Sequence, residues 1–254
     1  MKRILILTTI LIFACSSDDS SDSNNISNEK LIESVIVFSA DCAETENIWF
    51  NYENGIITSS QEQSYRSLCS TINTYPWDDV NYGELLTYSY EYLPNKLTIS
   101  YNGGSDEILL NDDGTIDNSD YTFENGYLIS IQSECSTIIN TWENGNLIQF
   151  SVNDCLDEDS NGIHTIEYTN YDAKLPFVPI GFNGNSFGFL NLQGKNSTKL
   201  PHKRISPRLN VFYTYTFDEE GYPTKITIKK EYNNNPNNYA PFDREVTFEI
   251  TYTN

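Results

Sequence analysis

The sequence predicts an all-β protein, an antiparallel meander of about 14 short strands curled into a barrel-like or rolled sheet. An aromatic residue followed by Glu-Asn-Gly and aliphatic residues occurs three times, beginning at Tyr52, Phe123 and Trp142. Asn-Gly between two apolar runs is the strongest short-range signal of a β-hairpin, because both central residues of a type I′ turn need a positive φ. Alternating apolar and polar residues lie between the turns, and no segment has a convincing helical period.

Strands of the first half are bounded by these turns. Alternation is strictest at 85–93, where Tyr88, Tyr90 and Tyr92 share one face. Because alternating aromatic residues carry a large apolar area, such a stripe is more often core than an exposed platform for sugars. The polar stretch 61–75 has no clean period and is predicted to be a loop or a short helix. The predicted strands of this half are 34–40, 47–52, 56–59, 85–93, 96–101, 106–111, 120–123 and 127–133.

The second half contains a long interruption. Residues 171–210 include four prolines, which predicts an irregular excursion with one short strand at 187–192. Long loops of this kind often carry function. Regular alternation returns at 211–217, where Tyr213 and Tyr215 share a face. The predicted strands of this half are 137–142, 146–152, 163–170, 211–217, 224–230 and 245–252.

The amino terminus, residues 1–14, is typical of an export signal. Lys2 and Arg3 precede the apolar stretch 4–13, which is too short to span a bilayer as a helix. Ala14 followed directly by Cys15 resembles the signal of bacterial lipoproteins, in which the cysteine thiol receives a diacylglycerol. Lipidation of Cys15 would make outer-membrane lipid a partner of the chain, whereas an ordinary secreted protein with a coincidental cysteine is the alternative.

Residues 15–29 are rich in Ser, Asp and Asn and are predicted to be a solvated acidic tether, because they have almost nothing to bury. Acidic residues directly after the lipidated cysteine resemble the surface-export signal of Bacteroidetes lipoproteins. That resemblance implies an exported outer-membrane lipoprotein at the cell surface, and a protein facing the periplasm is the alternative. Residues 30–254 are predicted to form a single β domain that includes the excursion 171–210.

The charge is strongly acidic, with 36 acids against 15 bases and a formal net charge of −21. Nucleic acid is therefore excluded as a partner, and anionic lipid headgroups are poor partners for most of the surface. The excursion 171–210 is the exception, because it holds six bases and one acid. This basic segment either folds back onto the protein's own acidic face or binds an anionic ligand, for which Lys203 and Arg204 are the candidate contacts.

Four cysteines remain besides Cys15, and an exported protein meets an oxidising compartment. Residues opposite each other in a tight hairpin have a constant index sum, which is 289 for the turn Asn144-Gly145 and 109 for Asn54-Gly55. The pair Cys135–Cys155 sums to 290 and the pair Cys42–Cys69 to 111, so both are predicted to be disulfides across hairpin mouths.

One loop resembles the opening of a calcium site. Asp157, Asp159 and Asn161 alternate before Gly162, so that their oxygen ligands can converge on one hard cation. The bidentate Glu of the full pattern is missing, because Tyr168 occupies its position. Calcium is thus a candidate cofactor, and an acidic hairpin loop is the alternative. Separately, Trp77 in a polar loop is the candidate for an exposed ligand contact.

The stretch 213–226, with the preceding 194–201, resembles an uncharacterised domain family of Bacteroidetes lipoproteins that has a porin-like fold. More remotely, its aromatic, Gly, aliphatic unit is similar to tyrosine-aspartate repeats of bacterial surface proteins. The family has no assigned activity, so the resemblance implies no catalytic residues. Most predicted strands have five to eight residues, whereas a bilayer-spanning strand needs about 9–11, so we expect a soluble domain.

The sequence thus predicts a lipid-anchored surface module that binds a glycan or an envelope protein. A structural or assembly partner at the outer membrane is the second hypothesis, and a glycan-active hydrolase is the third. Catalysis has little support, because His164 and His202 are isolated and no nucleophile-elbow or phosphate-loop sequence is present.

Overall fold

A computed structural model describes residues 30–39, 44–66, 81–155, 161–175, 190, 192–233 and 245–253. Within these ranges, sixteen strands form one antiparallel sheet, which confirms the all-β meander. No helix long and apolar enough to cross a membrane occurs in this part of the chain. The strands are β1 (Ile32–Ser39), β2 (Glu44–Glu53), β3 (Ile56–Arg66), β4 (Asn81–Tyr82), β5 (Leu86–Leu93), β6 (Lys96–Tyr101), β7 (Gly104–Leu109), β8 (Tyr121–Glu124), β9 (Tyr127–Gln132), β10 (Ser136–Glu143), β11 (Asn146–Asp154), β12 (Gly162–Asp172), β13 (Lys199–Ile205), β14 (Leu209–Phe217), β15 (Pro223–Tyr232) and β16 (Glu245–Tyr252).

The strands pair in chain order except at one place. β1 pairs with β2 on one side and with β16 on the other, so the first and last strands lie together in the middle of the sheet. The order ends at β7 and β8, which are consecutive in the chain but form the two opposite edges. The two-residue β4 lies off this path and pairs with β3. The sheet is therefore open and not closed into a barrel.

The connection between the two edges shows that the sheet is rolled. Fifteen strands lie along the path, and at a spacing of about 4.8 Å a flat sheet would separate its edges by roughly 65 Å. The connection 110–120 has eleven residues and spans about 40 Å at most. The sheet must curl to bring β7 and β8 within that reach.

Antiparallel order gives the roll two different ends. The turns at Asn54, Asn125, Asn144 and Asp218 lie at one end, together with Lys30 and the end of β16, and we call this the Asn-Gly end. Cys135 and Cys155 lie at the other, which we call the disulfide end. The connections β1–β2, β3–β5, β11–β12 and β15–β16 all leave from strand ends at the disulfide end.

Two groups of buried side chains fill the inner face. The larger one takes residues from β1, β2 and β14–β16, such as Val35, Ile48 and Ile226, which are fully buried. It also includes Leu175 and Leu200 from the excursion. The smaller group contains Tyr90, Leu97 and Ile99 from β5 and β6, and Leu110, which follows β7. The tyrosine stripes therefore point inwards, with Tyr90 and Tyr213 buried in the core.

The turn chemistry agrees with the sequence. Asn54, Asn125 and Asn144 have φ values of 52°, 52° and 50°, and the glycine after each also has a positive φ. These are the backbone conformations that a type I′ turn requires. Each Glu-Asn-Gly unit therefore makes a tight hairpin.

The prediction of a loop or helix at 61–75 is wrong for its first part, because β3 continues to Arg66. β3 pairs with β2 along its whole length and with β5 over 59–62, so backbone hydrogen bonds hold it on both sides. Its polar inner residues are accommodated individually: the hydroxyls of Ser60 and Tyr90 form a 2.6 Å hydrogen bond. The pattern failed because this inner face is not uniformly apolar.

The excursion 171–210 is also more regular than predicted. β12 reaches Asp172, and β13 was missed altogether because Pro201 argues against a strand. The register shifts beside Pro201, which marks the kind of bulge at which proline is tolerated. Six strands have nine to eleven residues, namely β2, β3, β11, β12, β14 and β15, so the prediction that most strands have five to eight residues understated their length.

Candidate functional site

Inner-face side chains at the disulfide end form the clearest candidate site. Glu62 pairs in register with Ile48 on β2 and with Leu86 on β5, and Tyr88 pairs with Ser60 and with Tyr101. Leu86 and Tyr101 are 40% and 38% exposed although they point inwards. The inside of the roll is therefore open to solvent here. We call Glu46, Glu62, Leu86, Tyr88 and Tyr101 the acid–tyrosine mouth.

Two carboxylates and two phenols meet in this mouth. Glu62 is only 7% exposed, and the rings of Tyr88 and Tyr101 lie 6.2 Å apart at an interplanar angle of 55°. Burial raises the pKa of Tyr88, and the neighbouring Glu62, Tyr90, Glu46 and Tyr101 raise it further. Glu62 and Glu46 therefore both disfavour the ionised form of the Tyr88 hydroxyl.

The chemistry of the mouth suits a ligand with many hydroxyl groups. Carboxylates accept charge-assisted hydrogen bonds, phenol hydroxyls donate and accept, and aromatic faces pack against apolar ring surfaces. Glu46 and Glu62 are diagonal neighbours on one face of β2 and β3, where Cα atoms are about 7–8 Å apart. In the described part of the chain, no group of three or more His, Cys, Asp or Glu side chains is placed to hold a metal ion.

Of the predicted calcium ligands, Asn161 is described, whereas Asp157 and Asp159 lie outside the described residues. The Asn161 side chain pairs with the backbone of Asp154: its Oδ1 accepts from the Asp154 N–H, and its Nδ2 donates to the Asp154 carbonyl at 2.9 Å. Asn161 therefore joins the two ends of the connection between β11 and β12. A calcium ion would have to share the Oδ1 atom with that hydrogen bond.

Lys203 and Arg204, the predicted anion contacts, lie on opposite faces of β13 because successive strand residues alternate. Lys203 pairs with Glu167 and Phe212, and its Nζ lies 5.2 Å from the centre of the Phe212 ring. Arg204 pairs with the buried residues Ile166 and Val211, and its Nε is buried without a hydrogen-bond partner among the described residues. The two bases do not form one site.

Two other bases of the excursion, Lys199 and Lys174, have partners in the structure. Lys199 forms an ion pair with Asp172. Lys174 donates to the carbonyl of Glu220 at 2.8 Å, and its Nζ lies 4.9 Å from the centre of the Tyr222 ring. The Lys174 contact agrees with the interpretation that the basic segment folds back onto the protein's own acidic face, whereas the Lys199 pair lies within the excursion, because Asp172 is its one acid.

Cys135 and Cys155 lie at disulfide distance, with Cα atoms 5.4 Å apart, as the hairpin index sum predicts. The Cys155 N–H also donates to the Cys135 carbonyl at 3.0 Å, so the hairpin register extends to the crosslink. Cys15, Cys42, Cys69 and Trp77 lie outside the described residues.

The returning part of the excursion, 192–198, crosses the gap between the two edges. Leu192 packs against the smaller core group, and its carbonyl accepts from the Ile116 N–H at 3.0 Å. Three residues later the Lys195 N–H donates to the Gly126 carbonyl at 2.8 Å, in the β8–β9 turn. Backbone contacts to both sides of the opening therefore hold the rolled shape.

Gly194 controls this crossing, and replacing it with alanine should lower the free energy of unfolding by about 2 kcal/mol. Its φ is +83°, and an added Cβ would overlap the Gly126 carbonyl oxygen. Urea denaturation measures the loss. Gly55→Ala is the matched control, because φ is +80° there and nothing lies within 4 Å of the added Cβ. An equal loss in both variants would contradict a role for the close approach.

The sequence does not mark the acidic members of the mouth. Glu46 and Glu62 sit among many other acids, and the stretch around Glu62 had no apolar alternation to mark it as a strand. The tyrosine stripe was the one available signal, because it correctly placed Tyr88 and Tyr90 on the inner face.

No protein-family model and no curated protein matches the sequence. Among solved structures, the chain is similar to a crystal structure described as a porin-like protein from Bacteroides uniformis ATCC 8492. The TM-score is 0.62 at 16% sequence identity, and the match covers 87% of this chain and 98% of the other. At this identity the likeness is one of fold alone, and it is consistent with the porin-like fold that the sequence resemblance implied.

Proposed function

We propose that the chain is an exported, lipid-anchored β module that binds a glycan in the acid–tyrosine mouth. The observation that carries the proposal is the polarity of the roll. Lys30, the first described residue after the tether, is at the Asn-Gly end, where its Nζ lies 2.8 Å from Asp218 and 2.9 Å from Glu220. The mouth is at the opposite end. A chain held through Cys15 would therefore present the mouth away from the membrane.

Similarity to a porin-like protein supports an association with the cell envelope, and the leader and tether support lipidation of Cys15. A Cys15→Ala variant should leave the membrane fraction after cell lysis, whereas the natural chain should stay in it. Retention of the variant in membranes would contradict anchoring through this cysteine.

Soluble glycans should stabilise the protein if the mouth binds them. A ligand at one hundred times its Kd raises the free energy of unfolding by about 2.7 kcal/mol, which is roughly 5–10 °C in melting temperature for a domain of this size. Thermal melts of the protein with a panel of glycans give the measurement. If no glycan shifts the melting temperature, glycan binding is contradicted and an envelope-protein partner is favoured. Release of new reducing ends from a glycan would instead indicate hydrolysis.

Glu62→Gln should weaken glycan binding by about tenfold, because a charge-assisted hydrogen bond becomes a neutral one. Glu249→Gln is the control, since Glu249 pairs with Lys225 on the outer face and its side chain is 57% exposed. Titration calorimetry with the best glycan of the panel compares the two variants. Equal affinities would place the ligand elsewhere on the protein.

A further inference from the structure

Large apolar side chains are exposed on the rim of the Asn-Gly end. Ile56 is 50% exposed in the β2–β3 hairpin, and Tyr92 and Leu93 are 39% and 41% exposed at the end of β5. Leu109 at the end of β7 is 55% exposed. We call these four residues the apolar rim.

Pairing makes the rim continuous. Leu93 and Leu109 flank Lys96 in register on the same outer face. In the adjacent β2–β3 hairpin, the register of β3 shifts at Thr58, so that Ile57 packs against the core and Ile56 lies on the outer face with Leu93 and Leu109. Tyr92 pairs with the buried Leu97, so it lies at the inner edge of this rim.

The tether leaves the domain close to this rim. β1 pairs directly with β2, so Lys30 lies beside the turn of the β2–β3 hairpin that carries Ile56. Lys30 is held there by Asp218 and Glu220 and lies 5.4 Å from the centre of the Tyr222 ring. The tether 15–29 has fifteen residues, and a flexible chain of that length has an r.m.s. span of only about 20 Å.

We propose that the apolar rim rests on the lipid surface that holds the acylated Cys15, so that the domain stands on its Asn-Gly end. This inference rests on the proposed lipid anchor. Tyrosine and aliphatic side chains partition into the boundary between headgroups and acyl chains, and a short tether raises their local concentration at that surface. The net charge of −21 opposes attraction to anionic headgroups, so the contact is apolar and should form on zwitterionic lipid.

Amine footprinting of the acylated full-length protein on phosphatidylcholine vesicles tests the contact. A water-soluble reagent that modifies amines should react with Lys96, which lies between Leu93 and Leu109, more slowly than with Lys229, which lies on β15 towards the disulfide end. The triple variant Ile56→Ser, Leu93→Ser, Leu109→Ser should raise the ratio of Lys96 to Lys229 modification by about threefold or more, because the rim no longer excludes the reagent.

A matched triple variant separates this effect from a general loss of surface hydrophobicity. Leu85→Ser, Ile139→Ser and Ile163→Ser remove side chains that are 41%, 51% and 57% exposed and lie off the rim. This control should leave the Lys96 ratio unchanged. Equal ratios in the rim variant and the natural chain, both bound to vesicles, would overturn the contact while leaving the anchor intact. Failure of the natural chain to sediment with vesicles would instead count against the anchor.

Discussion

Removing the crosslink between Cys135 and Cys155 should lower the free energy of unfolding by about 3 kcal/mol, or roughly 6–12 °C in melting temperature. The two cysteines are 20 residues apart, and a bond between them limits the unfolded chain more than the folded one. In the folded state the hairpin register already holds their Cα atoms 5.4 Å apart, so the bond should add little strain there. The double variant Cys135→Ser, Cys155→Ser, melted without reductant, gives the measurement.

Reductant provides the control and a test of the second predicted pair. If Cys135–Cys155 is the only crosslink, reducing the natural chain should destabilise it by the same amount as the double variant. If Cys42–Cys69 is also bonded, reductant should destabilise both the natural chain and the double variant further. A natural chain whose melting temperature does not respond to reductant would contradict the crosslink.

The cysteine pairing was predictable because local chemistry fixes the register of a tight hairpin. Asn144-Gly145 sets which residues lie opposite each other, and that register continues through β10 and β11 to Cys135 and Cys155. The shift of one residue between Thr141 and Trp142 changes the index sum from 289 to 290, which is the sum of the two cysteines. Each strand of a meander inherits its position from the turn before it, so the order of most strands was predictable as well.

The length of β3 could not be predicted from the sequence, and the reason is physical. A strand reveals itself by alternation when one face meets an apolar core, but β3 runs past the core to the acid–tyrosine mouth. Its inner residues there, Ser60 and Glu62, are polar. Backbone pairing with β2 and β5 holds this part of the chain, and such pairing carries no side-chain signature. The candidate site was hidden for the same reason.

The contact that closes the roll could not be predicted, because it joins residues that are far apart in the sequence. Leu192 and Lys195 join the two sides through backbone atoms, to Ile116 and Gly126. Neither hydrogen bond depends on a particular side chain. Gly194 is the one position where the sequence reflects the contact, because a larger residue would not fit against the β8–β9 turn. Without the fold, that glycine looks like any other loop glycine.

Raising the pH from about 10 to about 12 should unfold the protein cooperatively, because buried tyrosines hold their protons more tightly in the folded state. Burial raises the pKa of Tyr52 and Tyr168 to about 12, and it also raises the pKa of Tyr213, Tyr215 and Tyr252. The Tyr215 and Tyr252 hydroxyls donate 2.7 Å hydrogen bonds to backbone carbonyls, which a phenolate has no proton to make.

The sign follows from the order in which the two states lose protons. Below pH 10, tyrosines are protonated in both states, so their contribution to stability is fully present. Above pH 10, the usual tyrosine pKa in an unfolded chain, the unfolded state loses its protons first. The free energy of unfolding then falls by about 1.4 kcal/mol per pH unit for each fully buried tyrosine, and by less for each partly exposed one. Several such groups together remove most of the 5–15 kcal/mol that stabilises a typical domain.

Urea denaturation midpoints at stepped pH, together with tyrosinate absorbance, give the measurement. Tyr215→Phe should make the free energy of unfolding fall less steeply between pH 10 and 12, because the variant lacks one tyrosine with a raised pKa. The substitution also removes the hydrogen bond to the Pro201 carbonyl. Tyr171→Phe is the control, since Tyr171 is 57% exposed, and it should leave the slope unchanged. A folded protein whose tyrosines all ionise with one midpoint near pH 10 would show that these side chains are not buried as the inner face of the roll requires.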